Sequence, residues 1–186
     1  MKVASLALGN NIKIKTEVIK VILGSLLLFA SGQIAIPIEP VPIVMTTVGV
    51  MLIGLLYQRR TALMAVMAYI SAGALGLPVF QGFAGGLVHL YGPTAGYIIG
   101  FAFAVLAMTF LREKFVLTSF WGMLLNCSIG TLVIFIPGVA WLSILLGFHD
   151  AILFGVMPFI IPGILKALVL TGALQIIQPK AKLDAR

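Results

Sequence analysis

Long apolar runs alternate with short polar, proline-rich or glycine-rich segments along the chain. A helix needs about 20 predominantly apolar residues to cross a bilayer. Six of the runs approach or reach that length, so the pattern predicts an all-α polytopic membrane protein with six transmembrane helices. The predicted spans are residues 17–35, 42–57, 61–77, 93–111, 117–141 and 152–178.

The composition agrees with this interpretation. Of the 186 residues, 61% are hydrophobic and only 9% are charged, whereas about 25% of the residues in a soluble domain are charged. A chain of this length is expected to form one domain. We therefore interpret residues 1–186 as one membrane-embedded substrate-binding and transport domain. Residues 1–16 form its cytoplasmic N-terminal segment and residues 179–186 its cytoplasmic tail.

The positive charges are distributed unevenly between the segments that join the predicted spans. If the N-terminus lies inside, eleven of the twelve Lys and Arg residues fall on the inner side and none in the three outer loops. The positive-inside rule produces this asymmetry, so both termini are predicted to be cytoplasmic. The net charge of +7 is thus explained by topology in a lipid bilayer and indicates no nucleic-acid partner. The pattern predicts a multi-pass protein of the bacterial inner membrane.

Three outer segments are rich in Pro or Gly and yet apolar: Gly32 to Pro42, Gly76 to Tyr97, and Gly147 to Asp150 with the residues that follow it. The three prolines of the first segment disfavour helix and favour extended structure. Irregular backbone at membrane depth is tolerated only where it is buried in protein or lines a cavity. The segments therefore predict a lidded pocket that opens outward, with the first and third covering the ligand.

Lys166 is the twelfth positive charge and lies inside the last predicted span. Pro162 precedes it by four residues, and Pro favours the first turn of a helix, so the last helix is predicted to begin near Pro162. A lysine at the bilayer centre costs roughly 2.5–3.5 kcal/mol. It could extend to the outer headgroups, or it could face the pocket and bind an anionic ligand near the free N–H groups of the helix start.

No motif of catalysis or of metal binding is present in the sequence. It has no GxSxG, HExxH or CxxC, no phosphate-binding GxxxxGK[ST], and only five carboxylates. We predict no catalytic residue, no metal site and no cofactor, and a protein that is not an enzyme and cannot hydrolyse ATP itself. His89 is interpreted as a loop or interfacial histidine in preference to the alternative, a ligand contact. Asn126 in the fifth span has two open interpretations, a bond to a neighbouring helix or a ligand contact.

Five stretches in order resemble the BioY family, the biotin-binding S components of energy-coupling factor (ECF) transporters. They are GSLLLFASGQIAIPIEPVPIVMTTVGVMLIGLL, ALGLPVFQGFAGG, GPTAGYIIGF, VIFIPGVAWL and GVMPFIIPGILKALV, and the similarity covers about residues 17–178. The resemblance implies six helices with an outward cavity for biotin. It also implies partners, a transmembrane T component and two ABC-type ATPases, although some members are reported to act alone.

The resemblance also implies the binding residues. Lys166 matches the lysine of the family's G-D-x-x-K motif, a ligand-binding position on the last helix. In the first loop and the start of the second helix, the positions that match the family are Gln33, Thr46 and Thr47. In the glycine loop of the family fall Phe80, Gln81, Gly82, Gly85 and Gly86.

Gly163 stands where the family has the Asp of this motif. A carboxylate there would accept hydrogen bonds from ureido N–H groups, and hydrogen bonds to charged groups contribute about 1.5–3 kcal/mol. Either another acceptor replaces it (Asn126, Gln33, Gln81 or Asp150), or affinity is lower, or the ligand differs. Uptake of another small carboxylated nutrient therefore remains an alternative, and an intramembrane enzyme is a further one that the missing acid–base pairs disfavour.

Overall fold

The computed structural model describes residues 2–115, 117 and 119–177, with side chains from residue 14 onward. Within these residues the chain forms seven α-helices and one short antiparallel hairpin. The elements are α1 Lys2–Gly32, β1 Ala35–Ile36, β2 Ile43–Val44, α2 Thr46–Leu56, α3 Arg59–Ala74, α4 Ala95–Phe115, α5 Phe120–Leu146, α6 Phe148–Gly155 and α7 Met157–Ile177. Between α3 and α4, single 3-10 turns occupy Gln81–Phe83 and Leu87–Leu90. The predicted tail, residues 179–186, lies outside the described residues.

The helices confirm the prediction of an all-α membrane protein. In the described ranges three helical stretches are long and apolar enough to cross a membrane: Ala95–Phe115, Phe120–Leu146 and Phe148–Ile177. The α2 helix is apolar but has only 11 residues, so it is shorter than a typical span. The count of six spans and the side on which the termini lie therefore stay predictions.

The hairpin confirms the prediction of extended structure in the first outer segment. Ala35 pairs with Val44 and Ile36 with Ile43 in antiparallel register. The prolines lie between the two strands, where no ladder hydrogen bond is required of them. We call the end of the bundle that carries this hairpin the hairpin end.

The last predicted span is two helices, and the predicted helix start near Pro162 is wrong. The α7 helix begins at Met157, and Pro162 lies inside it. Pro158 takes the second helical position, where a backbone N–H has no partner within the helix and its loss costs nothing. The break between α6 and α7 leaves the carbonyl of Gly155 available, and the Tyr97 hydroxyl donates to it at 2.9 Å.

The α4 and α5 helices pack closely because small residues lie between them. A methyl group on Gly100 would lie 2.8 Å from the carbonyl oxygen of Ile134, and one on Gly96 would overlap with the carbonyl of Pro137. Small residues allow two helix backbones to approach in this way in membranes. This contact fixes Tyr97 and Phe101 of α4 against α5, where both residues line the cavity described below.

Opposite the hairpin end, a cluster of charges joins the ends of three helices. The guanidinium of Arg112 on α4 donates to the carbonyl oxygens of Leu55 and Tyr57, the latter at 2.6 Å. These carbonyls belong to the end of α2, where a helix lacks internal donors. Arg59 at the start of α3 pairs with Glu113 at 2.5 Å. We call this end the basic end.

Candidate ligand-binding site

A cavity near the hairpin end is surrounded by α2, α3, α4, α5 and α7 and is covered by two loop segments. Its empty volume is about 940 Å³, including the part of the mouth that is open to solvent. The lining residues are Val41, Pro42, Val44, Thr46, Thr47, Met51, Tyr69, Phe80, Gln81, His89, Thr94, Tyr97, Ile98, Phe101, Thr131, Ile134, Phe135, Phe159, Pro162, Gly163 and Lys166.

Lys166 reaches into this cavity from α7 and is hydrogen-bonded inside the protein. Its Nζ donates to the main-chain oxygen of Val44 at 2.7 Å and to the Thr47 hydroxyl at 3.3 Å. Thr47 in turn donates to the same Val44 oxygen at 3.2 Å. An ammonium group has three N–H donors, so one binds β2, one binds the start of α2 and one remains for a ligand.

The lining gives the cavity a positive character. None of its residues is Asp or Glu, and Lys166 is its only Lys or Arg. A cation in a largely apolar space is best satisfied by an anionic group of the ligand. Within the described ranges no three His, Cys, Asp or Glu side chains form a group that could hold a metal ion.

Aromatic rings form two walls of the cavity. On one side the Tyr69 and Phe80 rings meet edge to face with centroids 5.6 Å apart, and the His89 ring lies 6.2 Å from Phe80. On the other side Tyr97 stacks with Phe159 at 6.4 Å. Rings in such arrangements offer large flat apolar surfaces at fixed positions, which suits a ligand with a rigid ring system.

Six of the predicted site residues line the cavity. They are Thr46, Thr47, Phe80, Gln81, Gly163 and Lys166. Thr46 is 3% exposed and its hydroxyl lies beside the Tyr69 phenol. The sequence separation between these residues is large, so α2, the loop after α3 and α7 bring them together only in the folded chain.

Gln33 does not line the cavity but holds the loop that does. Its amide nitrogen donates to the carbonyl oxygen of Phe80 at 3.0 Å, and its amide oxygen accepts from the backbone N–H of Phe83 at 3.0 Å. The Gln33 amide thus both donates to and accepts from the loop backbone, as the peptide groups of a neighbouring strand would. Gln33 therefore acts on the cavity through Phe80.

Gly82, Gly85 and Gly86 also lie outside the cavity lining. Gly82 and Gly86 have φ values of 70° and 96°, a region that L side chains rarely adopt. A methyl group on Gly85 would overlap with the carbonyl of Leu77. The three glycines therefore shape the loop that carries Phe80 and Gln81.

Asn126 is fully buried between helices and is likewise absent from the cavity lining. Its amide nitrogen donates to the carbonyl oxygen of Met108 on α4 at 3.1 Å, and in the described chain its amide oxygen has no partner. This geometry is that of the helix-to-helix bond, one of the two interpretations left open by the sequence. The turn from Gly147 to Asp150 does not line the cavity either, and α6 begins within it at Phe148.

Gly163 lines the cavity and leaves open space beside it. A methyl group at this position would meet only the Thr131 methyl carbon, at an ordinary contact distance of 3.8 Å. The Thr131 hydroxyl donates to the carbonyl oxygen of Cys127 at 2.9 Å, so its oxygen can still accept a hydrogen bond. The space therefore contains a neutral acceptor and no carboxylate.

Comparison with known proteins identifies the family. Residues 4–182 match the sequence model of the BioY family. The chain belongs to the BioY family. Among curated BioY relatives, the probable biotin transporter of Pyrococcus horikoshii is 40% identical over 136 residues, which cover 73% of this chain and 80% of the relative. The biotin transporter of Thermotoga maritima is 33% identical over 156 residues, covering 82% and 90%.

A solved crystal structure has the same fold. The crystal structure of the S component for biotin from an ECF-type ABC transporter superposes with a TM-score of 0.78 at 26% identity. The match covers 94% of this chain and 96% of that one. The helical architecture of this chain is thus similar to that of a known S component.

Sequence reasoning missed several residues of the BioY cavity. Tyr69 lies in the middle of the third predicted span, where an apolar setting gave no signal of a ligand site. His89 was interpreted as a loop or interfacial residue, yet it lines the cavity. Tyr97 carried a signal, since it ends the GPTAGY stretch by which the chain resembles BioY. Thr131 can be recognised as a site residue only in the folded structure, where it lies on α5 beside Gly163 of α7.

Proposed function

We propose that this protein takes up biotin across the membrane, binding the vitamin in the cavity and passing it inward. The observation that carries the proposal is the single Lys166 ammonium in an apolar cavity without carboxylates. Biotin offers a matching carboxylate, a ureido group with N–H donors, and an apolar ring and chain. The relatives named as biotin transporters support the same ligand.

The ligand is placed by matching its groups to the lining. Its carboxylate accepts from the remaining N–H donor of Lys166, and a charge-assisted bond of this kind is about twice as strong as a neutral one. Its rings lie between the Phe80 and Phe159 walls. Its ureido N–H groups find neutral acceptors, the oxygens of Gln81 and Thr131, since Gly163 supplies none.

The proposal includes the topology read from the sequence. The six predicted spans form one domain over residues 1–186, with α6 and α7 sharing the last span. The basic end, with Arg59, Arg112 and Lys114, faces the cytoplasm of a bacterial inner membrane, as the positive-inside rule requires. The cavity near the hairpin end then opens outward, where the vitamin is collected.

Transport against a gradient needs an energy source that the sequence does not contain. We therefore include a T component and two ABC-type ATPases as partners. The structural match to an S component of an ECF-type ABC transporter supports this assignment. Acting alone, the protein would allow only slow equilibration.

Uptake of another small carboxylated nutrient is the second candidate. The observation that favours it is the absence of any carboxylate near Gly163 to accept ureido donors. A ligand with a carboxylate and a ring but no such donors would fit this lining equally well. The two candidate ligands thus differ in whether they carry ureido N–H donors.

Isothermal titration of the detergent-purified protein separates the two. Biotin, biotin methyl ester and lipoate, a carboxylate without a ureido group, are each titrated into folded protein. We expect biotin to bind and its ester to bind at least 10-fold more weakly, a difference of about 1.4 kcal/mol. Failure to bind biotin, with an intact helical circular dichroism spectrum, would refute the proposal. Tight binding of lipoate instead would establish the second candidate.

A further inference from the structure

At the basic end, two cations lie over the exposed ring of Phe110 on α4. The guanidinium carbon of Arg59 is 5.3 Å from the ring centroid, and Lys114 Nζ is 5.6 Å from it. Lys114 Nζ also lies 5.5 Å from the Phe115 ring. Such contacts attract the cation to the face of the ring. We call Arg59, Phe110, Lys114 and Phe115 the Phe110 cluster.

The Phe110 cluster has more positive charge than its surroundings neutralise. The carboxylate of Glu113 is bonded to Arg59 at 2.5 Å. In the described part of the chain, Lys114 has no carboxylate within ion-pair distance, and neither has the adjacent Arg60. Arg59 retains further N–H donors beyond the bond to Glu113, because a guanidinium has five. The cluster can therefore bind another anion.

An apolar stripe runs from the cluster toward the hairpin end. On α4 the exposed residues Phe103 and Phe110 are seven positions apart, and Lys114 follows four positions later on the same helix face. On α3 the exposed Met64 and Met67 follow Arg60 by four and seven positions, which also places them on one helix face. Each helix thus has a cation at the end of an exposed apolar row. This arrangement is complementary to a phospholipid, in which an anionic headgroup lies at one end of an apolar acyl chain.

We propose that the Phe110 cluster binds an anionic phospholipid, such as phosphatidylglycerol. The phosphate pairs with Lys114 and Arg59, and an acyl chain lies along the Phe103 stripe. Basic pockets between helices at the membrane surface bind acidic headgroups by this charge complementarity, and aromatic rings anchor at the same depth. The inference needs only that the protein lies in a bilayer and does not rest on the identity of the transported ligand.

The lipid site and the cavity are separate. Lys114 lies 13 residues after Phe101, a cavity residue on the same helix, which corresponds to about 20 Å along the axis. A change at Lys114 should therefore leave ligand binding in the cavity intact. The helical circular dichroism spectrum serves as the internal check that each variant is folded.

The test measures thermal unfolding of detergent-purified protein by tryptophan fluorescence, with phosphatidylglycerol or phosphatidylcholine added at equal mole fraction. We expect phosphatidylglycerol to raise the midpoint by about 3 °C or more above phosphatidylcholine. Lys114→Gln should abolish most of this difference. Lys15→Gln, which removes the same charge from an exposed site on α1, should retain it, and native mass spectrometry should detect one retained phosphatidylglycerol in wild type and Lys15→Gln only.

Three outcomes would overturn the proposal. Equal losses in Lys114→Gln and Lys15→Gln would mean general charge attraction without a site. Equal stabilisation by inorganic phosphate would mean a soluble anion site, independent of acyl chains. Protection of Lys114 from an amine-reactive reagent by a co-purified protein subunit, with no response to phosphatidylglycerol, would assign this surface to a protein partner.

Discussion

The ammonium group of Lys166 on α7 donates a 2.7 Å hydrogen bond to the carbonyl oxygen of Val44 in β2, a residue 122 positions earlier in the chain. The only lysine or arginine of the cavity is therefore also the contact that ties the hairpin to α7. A ligand carboxylate that accepts from the third N–H of this group would bind at the point where the hairpin contacts α7. Ligand affinity and hairpin closure should therefore depend on the same side chain.

Replacing Lys166 by Met should lower the affinity for biotin at least 10-fold, equivalent to about 1.4 kcal/mol. Met keeps the length and apolar surface of the side chain but removes the charge and all three donors. Isothermal titration gives the affinity. Lys15→Met serves as the control, since Lys15 is exposed on α1 and lies outside the cavity lining.

Biotin methyl ester makes this measurement specific to the charge. The wild type should prefer biotin to its ester, and Lys166→Met should bind the two equally. If the variant still preferred the free acid, another group would be pairing with the carboxylate, and the role assigned to Lys166 would be wrong.

Gly163→Asp should increase affinity for biotin by about 10-fold. The new side chain enters open space beside Thr131, where its carboxylate can accept ureido N–H bonds, and such bonds contribute about 1.5–3 kcal/mol. Gly163→Asn has nearly the same shape without the charge and should gain much less. A loss of affinity in Gly163→Asp, with Gly163→Asn unchanged, would mean that the ureido group lies elsewhere in the cavity.

Gly73→Ala should impair both stability and ligand binding. A methyl group at this position of α3 would overlap with the ring of Phe80, which is 4% exposed and forms a cavity wall. The ring would have to move into the cavity, and overpacking of this kind costs about 1–3 kcal/mol. The melting midpoint and the biotin affinity should both fall.

Gly172→Ala is the matched control for this change. Gly172 also lies within a helix, but a methyl group there has no atom within 4 Å. Because Ala favours helix over Gly by roughly 0.5–1 kcal/mol, this variant should be as stable as wild type or slightly more stable. Equal behaviour of the two variants would show that Phe80 is not held by its contact with α3.

Arg112→Gln should lower the melting midpoint without changing biotin affinity. The guanidinium satisfies the Leu55 and Tyr57 carbonyls at the end of α2, and hydrogen bonds that involve a charged group contribute about 2 kcal/mol. The affected end of α2 lies away from the cavity. Arg60→Gln, which removes an exposed arginine from the same end, should leave the midpoint near that of wild type.

The sequence by itself determined the class of protein and the location of its charge. Apolar length specifies membrane helices because a bilayer core has a fixed thickness and cannot hydrogen-bond an exposed backbone. Lys166 could be singled out because a lysine among apolar residues requires a compensating partner. The family motifs gave the ligand class, and the prolines between Gly32 and Pro42 gave the extended segment that the hairpin confirms.

Tertiary structure alone decided which residues share the cavity. Gln33 and the glycines of the loop after α3 matched family positions, but the fold uses them to shape that loop, while Tyr69 and His89 complete the wall. The sequence did not predict the break between α6 and α7 either. A helix can break where a neighbouring group hydrogen-bonds to the backbone carbonyl that the break leaves without a partner, as the Tyr97 hydroxyl does for Gly155. Local sequence determines what a segment can form, and contacts between distant segments decide which side chains meet.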